Sequence, residues 1–248
     1  MPQKSNLKFV LIIPARFKSS RLPGKPLVEI CGKSLVSRVW GICSKVLPAE
    51  DIYVATDDKR VSDHCHSQGI QTLMTSPNCL TGTDRVGAAS KQVSADIYIN
   101  VQGDEPLLDP KDILKVISAS KERPKQVISA MCQIDCEADF RSKTVPKVVF
   151  RPDGRLLYIT RAGVPTTKNL DYQNAYKQVC IYALPRGLLD EYANLNKKTP
   201  LESIEDIEIL RFLELGHEVY LIEVSASSVA VDVLEDVARV EALISALN

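Results

Sequence analysis

The stretch Phe9–Leu27, FVLIIPARFKSSRLPGKPL, decides how the rest of the chain is read. Phe9–Ile13 is a short apolar run with the composition of a buried strand, and Pro14, which cannot donate to a ladder, ends it. The loop that follows carries Arg16, Lys18, Arg21 and Lys25, and Gly24 lets the backbone turn between Pro23 and Lys25. Guanidinium forks and ammonium point charges together suit a polyphosphate. Equally, a basic loop can simply face water. Position favours the first reading, because open α/β sheets bind ligands outside the carboxyl ends of their strands.

Working outward from this stretch, apolar runs alternate with amphipathic segments. Ser34–Val46 has helical spacing, Asp51–Ala55 reads as a strand ending in Thr56-Asp57-Asp58, and Lys59–Gln68 as a helix. Ile70–Met74 is a short strand, and a loop from Ser76 leads into a helix reaching Val93. Asp96–Val101 is a buried strand ending in Gln102-Gly103-Asp104-Glu105-Pro106. A helix starts at Asp109-Pro110 and runs to Lys121, and Val127–Ile134 is a further strand. This rhythm predicts an α/β fold with a mostly parallel sheet and helices on both faces. It places Arg16, Asp57 and Asp104 along one sheet edge.

After about Glu137 the pattern changes. Lys147–Phe150 and Arg155–Ile159 flank an Asp153-Gly154 turn and predict a hairpin. Thr160–Tyr176 is polar and loop-like, Gln178–Leu184 a strand, and Pro185–Leu195 and Leu201–Leu215 are helices, the second stopped by Gly216. Glu218–Glu223 is a strand, and Val231-Asp232 precedes a final helix to Ala246. The whole is read as one domain, 1–248, with a smaller mixed α+β insertion. Residues 1–135 form its mainly nucleotide-binding part and 136–248 its second part.

Composition excludes several classes. With 31 basic and 31 acidic side chains the formal net charge is zero, which argues against nonspecific nucleic-acid binding. No apolar run approaches the roughly 20 residues of a spanning helix. The N-terminal MPQKSNLKFVLIIPARF is too short in its apolar part for a secretory leader, and the expectation is a cytoplasmic protein with no membrane partner. Seven scattered cysteines fit free thiols in a reducing compartment. Cys132 and Cys136 have no zinc-knuckle spacing, and His64, Cys65 and His66 fall on a helix that cannot bring them to one face.

Two phosphate motifs fail. Gly32-Lys33-Ser34 imitates the end of a Walker A loop, but Leu27 stands where its first glycine belongs, and no G-x-G occurs anywhere. Asp104 is the most informative carboxylate. It follows a buried strand through a glycine and faces the basic loop, where it could carry Mg²⁺ against phosphate oxygens or form an ion pair with the loop. Asp232 is a second candidate ligand, with a helix N-cap as its alternative role.

The motifs IIPARFKSSRLPGKPL, VATDD, LTGTDRV, INVQGDEP, LESIEDIEILR and AVDVLEDVARV occur in that order. In them the chain resembles the CMP-Kdo synthetases, the 3-deoxy-manno-octulosonate cytidylyltransferases, over nearly its whole length. The resemblance implies a Rossmann-like nucleotidyltransferase sheet and attack by the anomeric hydroxyl of an acidic ulosonic sugar on the α-phosphate of CTP. A CMP-sugar and pyrophosphate result. It implies Arg16, Lys25 and Asp104 as catalytic residues. Arg16, Arg21, Lys25, Thr81, Gly82, Thr83, Arg85 and Gln102 would bind CTP. Gln102, Arg161, Gln178, Tyr182 and Glu202 would bind the sugar, Asp104 and Asp232 would hold Mg²⁺, and the second part would supply a homodimer contact. The departures lie mostly in that part. The family's R-H-L-G-I-Y is here Lys177-Gln178-Val179-Cys180-Ile181-Tyr182, its E-Q-L-R is Glu208-Ile209-Leu210-Arg211, and its V-D-T-P-E-D is Val231-Asp232-Val233-Leu234-Glu235-Asp236. An 8-amino sugar, a nonulosonic acid or a phosphonate is therefore an alternative acceptor, and a non-catalytic nucleotide-binding module is a third reading.

Overall fold

A computed structural model describes residues 7–19, 21–226 and 229–247; the first six residues of the stretch examined for a leader lie outside them. The elements run β1 (Phe9–Pro14), the small hairpin β2 (Glu29–Ile30) and β3 (Lys33–Ser34), α1 (Leu35–Cys43), β4 (Ile52–Thr56), α2 (Lys59–Ser67), β5 (Thr72–Met74), α3 (Gly82–Ser90), β6 (Ile97–Val101), α4 (Pro110–Glu122) and β7 (Val127–Gln133). Then come α5 (Glu137–Arg141), β8 (Lys147–Phe150), β9 (Leu156–Thr160), β10 (Tyr176–Pro185), α6 (Arg186–Asn194), α7 (Pro200–Glu205), α8 (Ile209–Glu214), β11 (Val219–Glu223) and α9 (Leu234–Leu247).

The main sheet has the order β11-β7-β10-β6-β1-β4-β5, with β8 added to β10 and β9 to β8. Strands β6, β1, β4 and β5 are mutually parallel, as are β7 and β11. Between these groups β10 runs antiparallel to both neighbours. The mostly parallel α/β architecture expected from the sequence is thus present.

Strand pleating divides the core. Leu11 and Ile13 of β1 pack on one face with Leu35 and Val39 of α1, Ile113 of α4 and Val240 of α9. Val10 and Ile12 pack on the other with Val86 of α3, Leu189 of α6 and Phe212 of α8. Both faces are covered, which explains why β1 and β6 read as continuous apolar runs.

Two expectations need correction. Leu201–Leu215 is not one helix. It breaks at Asp206, whose φ of 54° is left-handed, and residues 200–205 and 209–214 form separate short helices. The tertiary contacts that favour this break are described below. The polar stretch after β7 also contains a short helix, α5, which the sequence pattern did not suggest. The rejected Walker-like tripeptide lies in the β2–β3 hairpin, whose turn residues Cys31 and Gly32 both have positive φ.

Candidate active site

Because β4, β1 and β6 are adjacent and parallel, Arg16, Asp57 and Asp104 all follow carboxyl ends on one edge of the sheet. After Pro14 the chain turns back on itself. The Gly24 amide donates to the Phe17 carbonyl at 3.1 Å, Gly24 adopts a φ of 70°, and a 3-10 turn over Lys25–Leu27 follows. Gly24 suits this point because the left-handed conformation disfavours any side chain. The turn sends Lys25 back under the loop, while Arg16 and Arg21 stay exposed.

Gly103 carries the chain from β6 across the end of β1. A Cβ there would stand 2.9 Å from the Pro14 carbonyl oxygen, so only glycine fits without a shift. The next residue, Asp104, accepts the Lys25 ammonium at 2.7 Å. Asp232 accepts the same ammonium at 3.0 Å and the Arg21 guanidinium at 3.0 Å. The Val231 amide donates to the Asp104 carbonyl at 2.8 Å, fastening the two carboxylate-bearing segments together. Burial alone would lower the Lys25 pKa, but Asp104 and Asp232 outweigh it and the net shift is upward. The alternative role of Asp232 as an N-cap is not what the structure shows. Its carboxylate is engaged by Lys25 and Arg21 instead, while Asp236, inside the first turn of α9, reaches back to accept the amides of Asp232 and Val233.

Two carboxylates from separate segments meeting on one cation is the donor set Mg²⁺ uses when substrate phosphates complete its shell. Among the described residues no group of three or more His, Cys, Asp or Glu side chains gathers to hold a metal alone. The pair fits a metal shared with a nucleotide better than a closed protein cage.

Along the same edge, Thr81 caps α3 by accepting the Asp84 amide at 3.0 Å. Gly82 lies against Gln102: a Cβ there would fall 2.7 Å from its Nε2. The Gln102 backbone N–H donates to the Cys180 carbonyl at 3.3 Å, beside the irregular register of β10 between Val179 and Tyr182. This places Thr81, Gly82, Thr83, Gln102 and the bulged part of β10 together. Arg85 is buried, donating to the Thr75 hydroxyl at 2.6 Å with Asp57 at 3.6 Å.

Glu208 was noted in the sequence only as part of a variant motif. Its carboxylate accepts the amides of Gly82 at 2.8 Å and Thr83 at 2.9 Å, and the Thr83 hydroxyl at 2.5 Å. The helix break at Asp206 delivers it there. Burial pushes the Glu208 carboxyl above its ordinary pKa despite those three bonds, with Asp84 adding to the upward push. No local pattern signals this role, since its partners lie more than a hundred residues away.

In the second half Arg161 and Gln178 keep some exposed surface, whereas Tyr182 and Glu202 are buried. Arg161 donates to the carbonyls of Glu205, Lys143 and Asp206, so it closes the end of α7. A guanidinium carries more donors than these bonds use. Lys198 foremost, with Arg161 and Arg16 contributing, holds the Asp206 carboxyl below the usual range. Gln178 is half-buried on β10, and Tyr182 lies between Asn100 and Ser129 across the sheet. Glu202 departs from expectation. It has no exposed surface, and both its oxygens bind Arg211, which also pairs with Asp84 at 2.7 Å. It is a core ion-pair residue, not part of a surface that a sugar reaches.

An open α/β sheet whose carboxyl edge joins a basic loop to a carboxylate pair defines the nucleotidyltransferase class. Comparison with known proteins narrows this: the chain belongs to the cytidylyltransferase family, whose model matches residues 10–226. It is 35% identical over 238 residues to the 3-deoxy-manno-octulosonate cytidylyltransferase of Escherichia coli, covering 96% of each chain. It is 36% identical over 240 residues to the 8-amino-3,8-dideoxy-manno-octulosonate cytidylyltransferase of Shewanella oneidensis, covering 95% of this chain and 98% of that one. The solved structure of CMP:2-keto-3-deoxy-manno-octonic acid synthetase complexed with CTP matches with a TM-score of 0.90 at 34% identity, over 97% of this chain and 100% of that chain. A cytidylyltransferase from Leptospira borgpetersenii, with a TM-score of 0.65 at 17% identity, shares the fold.

Proposed function

We propose that the protein transfers CMP from CTP to the anomeric hydroxyl of an acidic ulosonic sugar, Kdo or a close analogue, releasing pyrophosphate. The observation that carries this reading is the convergence of Lys25 and Arg21 on Asp104 and Asp232 at the carboxyl edge of β1 and β6. The sugar oxygen forms a bond to the α-phosphorus, the bond from that phosphorus to the bridging oxygen breaks, and the hydroxyl proton passes to water. Arg16, Arg21 and Lys25 neutralise the triphosphate, so the chain's contribution is alignment and charge stabilisation with no covalent intermediate. Thr81, Gly82, Thr83, Arg85 and Gln102 shape the nucleotide side. Gln102, Arg161, Gln178 and Tyr182 form the acceptor side, with Arg161 directed to the sugar carboxylate. Asp104 and Asp232 would hold Mg²⁺, which when bound offsets charge on the phosphate oxygens.

Residues 1–135 supply most of the nucleotide contacts and 136–248 the acceptor contacts. Leu201 and Ile204, exposed at helical spacing on α7, support a homodimer contact in the second part. All seven cysteines are free thiols, which supports a reducing, cytoplasmic setting.

Relatives named for Kdo and for its 8-amino analogue are about equally similar to this chain, so both acceptors are tested. The protein is incubated with CTP, Mg²⁺ and each of Kdo, 8-amino-Kdo, a nonulosonic acid and a phosphonate, and pyrophosphate is followed. Release with one of the first two supports the reading. CTP binding without release for any acceptor makes the chain a nucleotide-binding module and overturns it.

A further inference from the structure

Lys25 has more than one claim on it. In the reading above it serves the triphosphate, yet in the structure its ammonium is engaged by both proposed metal ligands, at 2.7 and 3.0 Å. Arg21 adds a second positive charge at Asp232. The Lys25 side chain is only 16% exposed, so water screens its contacts less than at an open surface. A divalent cation approaching this pair alone meets two carboxylates already neutralised and an ammonium within bonding distance of both.

We propose that Lys25 acts as an internal counter-ion that withholds Asp104 and Asp232 from a divalent cation until a triphosphate draws it away. The inference rests on the functional reading given above and adds an order to it. Bringing negative phosphate oxygens to the loop gives Lys25 and Arg21 new partners and frees the carboxylates at the same moment. The nucleotide and the cation thus each raise the other's affinity, as linkage requires. The loop geometry allows the exchange, since Lys25 lies in a one-turn 3-10 segment next to the left-handed Gly24.

The test uses Mn²⁺ as probe. Its binding to the nucleotide-free protein is titrated by electron paramagnetic resonance for wild type, Lys25→Met and Lys25→Gln, each checked for folding by circular dichroism. The ternary state is read by water-proton relaxation, which separates protein-bound Mn²⁺–CTP from the free chelate. Loss of the ammonium should tighten Mn²⁺ binding to the free protein by at least about fivefold, the lower end of ordinary coupling between sites, and shrink the gain that CTP brings. Adding Asp104→Asn to either variant should remove the new affinity. The inference falls if both Lys25 variants bind Mn²⁺ no tighter than wild type while wild type still binds it with CTP, or if the gain survives Asp104→Asn. If wild type binds no Mn²⁺ even with CTP, the metal-assisted reading of the site falls with it.

Discussion

Arg211 and Glu202 form a two-pronged ion pair in which neither residue has exposed surface: Nε and Nη2 each donate to a different carboxylate oxygen at 2.7 Å. Asp84 closes the other side of the guanidinium, and the Tyr192 ring lies 3.8 Å beneath it. The pair joins α7 to α8 across the Asp206 break, and Asp84 joins both to α3. Breaking a buried pair strands a charge. Arg211→Met should therefore destabilise the fold by about 3–5 kcal/mol, measured by urea denaturation. Replacing Glu202 and Asp84 as well with apolar residues should recover much of that loss.

The raised pKa of Glu208 makes a pH prediction. A carboxyl whose pKa is higher in the folded state binds more protons there than in the unfolded chain. Stability from this group is fully present below the unfolded value and declines as pH rises through the folded value. Denaturation of wild type and Glu208→Gln across acidic to neutral pH should show wild type losing ground to the variant as pH rises. A pH-independent difference would mean that the carboxyl does not titrate in this window.

Gly103→Ala tests the close passage of the chain over β1. The added methyl meets a backbone oxygen, not a flexible side-chain end, so the segment bearing Asp104 must move. The expected loss is about 1–3 kcal/mol of stability, typical of overpacking, together with a fall in turnover. Thermal melting and pyrophosphate release measure the two effects.

Asp104→Asn separates binding from chemistry. In the proposed reading Arg16, Arg21 and the α3 edge remain to hold the nucleotide, so CTP should still bind by calorimetry in the absence of metal. Turnover should drop by at least about a hundredfold, on the scale of losing one charge-stabilising group in a transition state. Retained activity would place the metal elsewhere.

The sequence made the edge of the sheet legible because its parts are local. A buried strand, a proline stop, a basic loop and a glycine before Asp104 each leave a short-range signature. The apolar spacing of Leu201–Leu215 continues through the break, and the left-handed residue there is Asp206, not a glycine, so the helix looked unbroken. Arg161 and Glu208, reaching the turn and α3 from afar, are the contacts that make the break favourable. The burial of Glu202 was hidden for another reason: its partner Arg211 lies nine residues on, across the break, and it is Arg211's further pairing with Asp84 of α3 that draws both into the core. Asp232 could be read two ways from its local pattern, and it is the distant Lys25 and Arg21 that engage its carboxylate.

The antiparallel strand β10 sits between β6 and β7, although some 40 residues of chain separate it from β7. A nascent chain that has emerged only through β7 therefore holds two strands with no way to complete the sheet between them. Their facing edges carry unpaired amides and carbonyls until residues 176–185 arrive. Completion of the sheet around β6 and β7 is thus tied to synthesis of the second half of the chain, and a fragment ending near residue 135 should aggregate instead of folding as a smaller unit.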